Sequence, residues 1–80
     1  MEKVIAIIKE NLLDIIPELA DEEFSNDDSF VDLGANSLDR GELITLTLEH
    51  INLDIPRIEL AKAQTINELA ELISLKKMNN

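Results

Sequence analysis

Residues 32–40 read Asp32-Leu33-Gly34-Ala35-Asn36-Ser37-Leu38-Asp39-Arg40, and this run decides how the rest of the chain is organised. Gly34 can take the positive φ values that a tight turn needs. Asn36, with Asp39 three residues later, makes a pair of the capping-box type, so a helix is predicted over Ser37–Ile51 with Asn36 as its N-cap. On this reading Ser37 occupies the first helical position with its hydroxyl free. A capping Ser37 would instead commit that oxygen to the backbone. The first backbone N–H groups of a helix lack intrahelical partners and behave like roughly half a positive charge. An anionic group on Ser37 is therefore favoured by about 0.3–1 kcal/mol at an exposed site.

Winding residues 38–51 at roughly 100° per residue gathers Leu43, Ile44, Leu48 and Ile51 into an arc of about 140°. Asp39, Glu42 and Glu49 lie opposite, so one face is core and the other acidic. Leu38 projects among the carboxylates and Leu46 lies near their edge. Apolar residues set in a charged surface suit brief docking, in which charge complementarity speeds encounter and a small apolar contact fixes register. Two leucines left half exposed on a solvated face give the same pattern. Gly41 weakens the helix interior by about 0.8–1 kcal/mol relative to alanine, a cost that points to a group approaching closely there.

Upstream, Val4, Ile5, Ile8, Leu12 and Ile15 recur at three- and four-residue spacing, which predicts an amphipathic helix over residues 3–15, stopped by Pro17. From Pro17 to Asn36 the periodicity fails. Seven acids and no basic residue occupy this stretch, which reads as a long acidic loop. A structureless connection of that length is unusual in a compact domain, and Leu19, Phe24, Phe30, Val31 and Leu33 are the residues expected to pin it. Downstream, Asn52–Pro56 reads as a loop and Arg57–Lys62 as a short third helix. Thr65, with Glu68 three residues later, is a capping box opening a fourth helix, whose buried stripe is Ile66, Leu69, Ala70 and Ile73. Lys76 and Lys77 suit the negative end of its dipole. The fold class is all-α: a four-helix bundle with a long first loop and a short third helix, forming one domain over residues 1–80.

Composition bounds the function. A chain of 80 residues hides only about 60–65% of its unfolded surface, so its stability is expected to be marginal. The formal net charge of −10 disfavours nucleic acid and acidic membrane surfaces and calls for basic protein partners. Phe24 and Phe30 are the only aromatic residues, which argues against base stacking. The chain has no cysteine, hence neither a disulfide framework nor a thiolate nucleophile, and the single His50 cannot assemble a zinc site alone. Val4-Ile5-Ala6-Ile7-Ile8 is too short to span a bilayer and is followed by Lys9 and Glu10 rather than a cleavage pattern. A cytoplasmic monomer is the simplest expectation.

Enzymatic readings fail on spacing. Thirteen residues of one helix hold Ser37 and His50 about 20 Å apart, so a serine–histidine dyad cannot form within it. A calcium loop starting at Asp28 would place Phe30, Leu33 and Asp39 where other residues are required. His50 reads as a helix-end residue favoured by the dipole, and the adjacent Asp27 and Asp28 as solvated loop carboxylates rather than an acid–base pair. No catalytic residue is identified. An acidic helical adaptor that binds proteins without any modification remains open.

The segment Leu33-Gly34-Ala35-Asn36-Ser37-Leu38-Asp39, in its setting of an acidic bundle with a long first loop, resembles the signature of acyl carrier proteins. The likeness covers nearly the whole chain. It implies that Ser37 is the attachment point for 4′-phosphopantetheine. A phosphopantetheinyl transferase would load Ser37 using magnesium and coenzyme A, and the arm's thiol would hold acyl groups as thioesters. The missing cysteine then ceases to be puzzling, because the reactive sulfur arrives with the arm. Two positions depart from the family pattern: Asn36 replaces the usual aspartate before the serine, and Gly41 replaces an apolar residue. Together with Arg40, Ile55-Pro56-Arg57-Ile58-Glu59-Leu60 and Ala63-Gln64-Thr65-Ile66, these features are similar to the freestanding donor carriers of polyketide β-branching cassettes. That resemblance implies delivery of an acetyl unit, made by decarboxylating a malonyl thioester, to a synthase related to hydroxymethylglutaryl-CoA synthase. An acyltransferase and a decarboxylase would be further partners. Leu38, Asp39, Arg40, Glu42, Arg57 and Ile58 are the candidate partner contacts. A general fatty-acid or other starter-unit carrier is the alternative within the class.

Overall fold

The first apolar stripe does form a helix, α1 (Glu2–Ile15), which buries Val4, Ile8, Asn11 and Leu12. In this computed structural model, which describes residues 1–78, α1 is the central element and packs against both of the long helices that follow. It ends because Pro17 has no N–H to donate. The Ile16 N–H makes the last bond, to Leu12 O at 2.8 Å.

Pro17 does not open a structureless loop, as the lost periodicity predicted. It occupies the first position of a 3-10 turn, Pro17–Asp21, where its fixed φ is compatible with helical geometry and its missing N–H costs nothing. Leu19 anchors that turn in the core at 3% exposure. Beyond it the acidic segment is held by side-chain turns: the Ser25 N–H donates to Asp28 Oδ2 at 2.8 Å, and the Asp32 N–H donates to Ser29 Oγ at 3.0 Å. Backbone bonds then tie it to the far end of the chain, from the Phe30 N–H to Gln64 O at 2.8 Å and from the Asn67 N–H to Asn26 O at 3.1 Å. Of the five expected pins, Leu19 and Phe30 are buried, and Phe24 and Leu33 are half-buried. Val31 is not a pin, since it is 70% exposed. The turns that follow Phe30 aim Val31 outward, and Ala35, at 4% exposure, takes the inner position through its N–H bond to Phe30 O. Gly34 adopts φ +90° in this passage, the left-handed conformation for which glycine was expected.

The second long helix, α2 (Ser37–Ile51), has the predicted bounds. It buries Leu43, Ile44 and Leu48 as expected, with Ile51 half-buried, and adds Thr47, which is completely buried. Thr47 Oγ1 accepts a hydrogen bond from Asn11 Nδ2 at 3.3 Å, a polar contact within the α1–α2 interface. Asn52 closes the helix in the left-handed region at φ 54°, and Ile55 returns the chain to the core. The third helix, α3 (Arg57–Leu60), is shorter than the predicted Arg57–Lys62, because the chain turns at Ala61 and Lys62 to bring Ala63 inside. The last, α4 (Ile66–Met78), buries all four stripe residues, Ile66, Leu69, Ala70 and Ile73.

Its capping box forms with a shift of one residue. The Glu68 N–H donates to Thr65 Oγ1 at 3.0 Å, but Glu68 Oε1 accepts from the Gln64 N–H at 2.9 Å rather than from Thr65. Thr65 is drawn instead into an isolated antiparallel bridge with Ser29. Lys76 reaches from the last turn of α4 to Glu59 on α3. Among the described residues, no helix is long and apolar enough to cross a membrane.

Candidate functional site

The N-terminus of α2 shows how sequence leaves one hydroxyl available. Asn36 Oδ1 accepts from the Asp39 N–H at 2.8 Å, and Asp39 Oδ2 accepts from the Asn36 N–H at 3.1 Å, so the reciprocal box is complete. Both capping oxygens come from residues on either side of Ser37. Ser37 is exposed at the first helical position, and among the described residues its hydroxyl makes no hydrogen bond. The N–H groups of Ser37 and Leu38 lie before the first intrahelical bond and face the helix mouth, where they favour negative charge. Asn36→Ala removes the side-chain half of the box, the bond from the Asp39 N–H to Asn36 Oδ1, and keeps the backbone N–H that donates to Asp39 Oδ2. It is expected to lower stability by about 0.5–2 kcal/mol, read from the urea midpoint, while leaving Ser37 exposed.

Behind Ser37 lies a cavity of about 380 Å³ between α2, α3 and α4. Its floor is apolar, built from Phe30, Leu43, Ile44, Leu60 and Leu69, and Arg40, Gly41, Arg57 and Ile58 complete the wall with Ser37. The bundle leaves this space because α1 packs against both α2 and α4, whereas on the other side the four-residue α3 bridges the two. Gly41 corrects one expectation: a Cβ built there meets nothing within 4 Å, so no protein group approaches closely and the missing side chain opens the cavity wall instead.

The structure brings four of the sequence-predicted site residues, Ser37, Arg40, Arg57 and Ile58, around this one cavity. Leu38, Asp39 and Glu42 do not line it. Leu38 stands 84% exposed beside the mouth, Asp39 is engaged in the cap, and Glu42 is exposed along the outer face of α2. Ile58 presents a second apolar side chain at 82% exposure, and Leu46 is half-buried. His50 is exposed in the last turn of α2, at the opposite end of the helix from Ser37. Sequence reasoning missed the cavity floor and Thr45, whose Oγ1 accepts a hydrogen bond from Arg57 Nη1 at 2.9 Å. Thr45 lies eight positions after Ser37 and four after Gly41, a helical stripe that was readable once Gly41 had been singled out.

An all-helical domain that holds an uncommitted serine at a helix mouth, within a rim of acidic and apolar side chains, is built to present a side chain to other proteins. The chain belongs to the phosphopantetheine attachment site family, whose model matches residues 2–73. It is 42% identical over 72 residues to the polyketide biosynthesis acyl-carrier-protein AcpK of Bacillus subtilis (strain 168), covering 90% of this chain and 88% of that protein. It is also similar to a chain in the crystal structure of the curacin biosynthetic pathway HMG synthase in complex with acetyl donor-ACP. That match has a TM-score of 0.86 and 44% identity, and covers 92% of this chain and 95% of the other. The protein is an acyl carrier protein, and the prosthetic group of its family is 4′-phosphopantetheine.

Proposed function

We propose that Ser37 carries the phosphopantetheine arm and that residues 1–80 act as a single, non-catalytic donor carrier for β-branching in polyketide biosynthesis. The observation that supports this most directly is the Asn36–Asp39 box, which satisfies the helix start without the Ser37 hydroxyl. The free N–H groups of Ser37 and Leu38, with the guanidinium of Arg40 one turn along, suit the phosphodiester that joins such an arm to a serine. When bound, the arm supplies the thiol that holds an acyl group as a thioester. Ser37 fixes where that group is tethered, and the exposed carboxylates and leucine of α2 determine which enzymes approach it.

The acetyl-donor role rests on the likeness to the donor carrier found with an HMG synthase, and on Arg40, which sets a positive charge beside Ser37 in a chain of net charge −10. Its partners in this reading are a phosphopantetheinyl transferase, an acyltransferase, a decarboxylase and an HMG-CoA-synthase-like enzyme. Leu38, Asp39, Arg40, Glu42, Arg57 and Ile58 form the contact surface. Two of these are exposed apolar residues that can fix register, and Glu42 offers charge for steering.

The test is acetyl transfer. Holo protein loaded with acetyl is presented to a branching synthase whose β-keto acceptor is held on a second carrier, beside an acetylated fatty-acid carrier at equal concentration. This chain is expected to transfer faster, and Glu42→Lys to slow transfer while shifting stability by under about 0.5 kcal/mol. Equal rates from the two carriers would remove the donor assignment and leave a general carrier. An unaltered rate for Glu42→Lys would take Glu42 out of the interface.

A further inference from the structure

The chain contains only two arginines, Arg40 and Arg57, and both line the cavity that opens at Ser37. In a molecule with 17 acidic side chains, two guanidiniums on one small cavity mark the place where an anion is best received. They differ in setting. Arg40 lies three residues after Ser37 on α2, next to the point of attachment. Arg57 comes from α3 and is fixed across the cavity wall by its bond to Thr45 Oγ1, which in turn donates to Gly41 O at 3.0 Å.

Ser37, Gly41 and Thr45 follow at four-residue intervals, so they share one stripe of α2. Gly41 is the gap in that stripe, with open space where its side chain would stand. The stripe rises about 12 Å from Ser37 to Thr45, the residue that holds the guanidinium, and is open at Gly41 between them. The fork of Arg57 retains donors not used by Thr45, in the planar arrangement that matches a carboxylate.

We propose that Arg57 receives the free carboxylate of a short dicarboxylic acyl group carried on the thiol of the Ser37 arm, the arm folding back over the Gly41 gap, malonyl being the smallest such group with a separate carboxylate. This rests on the assignment of Ser37 as the attachment point. The arrangement distinguishes malonyl from acetyl by charge. Decarboxylation breaks the bond between the α-carbon and the carboxyl carbon and releases carbon dioxide. The electron pair stays on the α-carbon, which takes a proton from water or from the decarboxylase. The acetyl group that results has no charge for Arg57 to hold, so Arg57 retains the group before decarboxylation and releases it afterwards.

The experiment compares nuclear magnetic resonance spectra of the protein in its holo, acetyl-loaded and malonyl-loaded forms, with loading verified by mass. The Arg57 Nε–H and the methyl groups of Ile44 and Leu60 are expected to shift on malonyl loading and to differ from the acetyl form. Arg57→Gln is expected to make the malonyl and acetyl spectra coincide at those methyls. Gly41→Val, whose Cβ has nothing within 4 Å, narrows the gap and is expected to abolish the malonyl-specific shift of Arg57. The proposal is overturned if malonyl- and acetyl-loaded wild type superimpose, if Arg57→Gln keeps the difference, or if only Arg40→Gln removes it. Failure to gain the arm's mass would instead overturn the Ser37 assignment itself, whereas a loaded protein without the shift overturns the Arg57 role alone.

Discussion

Ser37→Ala is expected to leave the mass of the chain unchanged after incubation with a broad-specificity phosphopantetheinyl transferase, coenzyme A and magnesium, whereas the wild type is expected to gain one arm. The effect is all or none, because phosphodiester formation needs an oxygen nucleophile at that position and alanine has none. The same substitution is expected to shift stability by no more than about 0.5 kcal/mol, since Ser37 is exposed and takes no part in the Asn36–Asp39 box. This separation of loading from stability makes the variant informative. A chain that accepts the arm as Ser37→Ala carries it elsewhere, and a wild type that stays bare is an unmodified acidic adaptor. Thermal unfolding of the same samples checks that the loss of loading is not a loss of fold.

Leu60→Ala is the substitution expected to cost most stability around the site. A helix of four residues cannot stand alone, because nucleation in water is unfavourable, so α3 exists only where packing holds it. Leu60 is its single buried residue, at 0% exposure, and it forms part of the cavity floor. Truncating a fully buried leucine costs about 2–5 kcal/mol, against a total of about 4–12 kcal/mol for a chain of this size. The midpoint of thermal unfolding is expected to fall by about 8 °C or more. Leu38→Ala, at a position 84% exposed, is the control and is expected to change stability by less than about 0.5 kcal/mol. If the two variants unfold together, α3 is not held by Leu60. If only Leu60→Ala falls, amide exchange is expected to quicken first at Arg57–Leu60, carrying Arg57 and Ile58 away from the cavity rim.

Helix content was legible where the deciding contacts are local. The stripe Ile66, Leu69, Ala70 and Ile73 is buried as its spacing requires, and α2 has its predicted bounds. The box at Asn36 spans three residues and forms as read. The box at Thr65 is instructive by contrast. Its side-chain half formed, but Glu68 Oε1 accepts from the Gln64 N–H, at the residue whose carbonyl accepts from the Phe30 N–H beside the Ser29–Thr65 bridge. The local motif is thus met one residue early, where the chain also pairs with the sequence-distant Ser29–Phe30 segment.

The acidic stretch resisted reading for the same reason. Val31 and Ala35 differ in hydrophobic bulk in the direction opposite to their burial, because side-chain direction in a run of turns follows backbone bonds rather than a fixed period. Asn11 and Thr47 were passed over because a buried polar pair looks like a flaw in either stripe alone. Each satisfies the other across 36 residues of sequence.

By itself, the sequence determined where the three long helices would lie, which residue would cap α2, and that Ser37 would be left with a free hydroxyl. Those outcomes follow from hydrogen bonds and apolar spacings that close within a turn or two of the backbone. Only the tertiary structure decided that α3 bridges α2 and α4 over a cavity, that Gly41 opens its wall, and that both arginines face it. Such features depend on elements meeting across the bundle, as Arg57 meets Thr45 over 12 positions and Asn67 meets Asp27 over 40, and no local period encodes which residues then share a space.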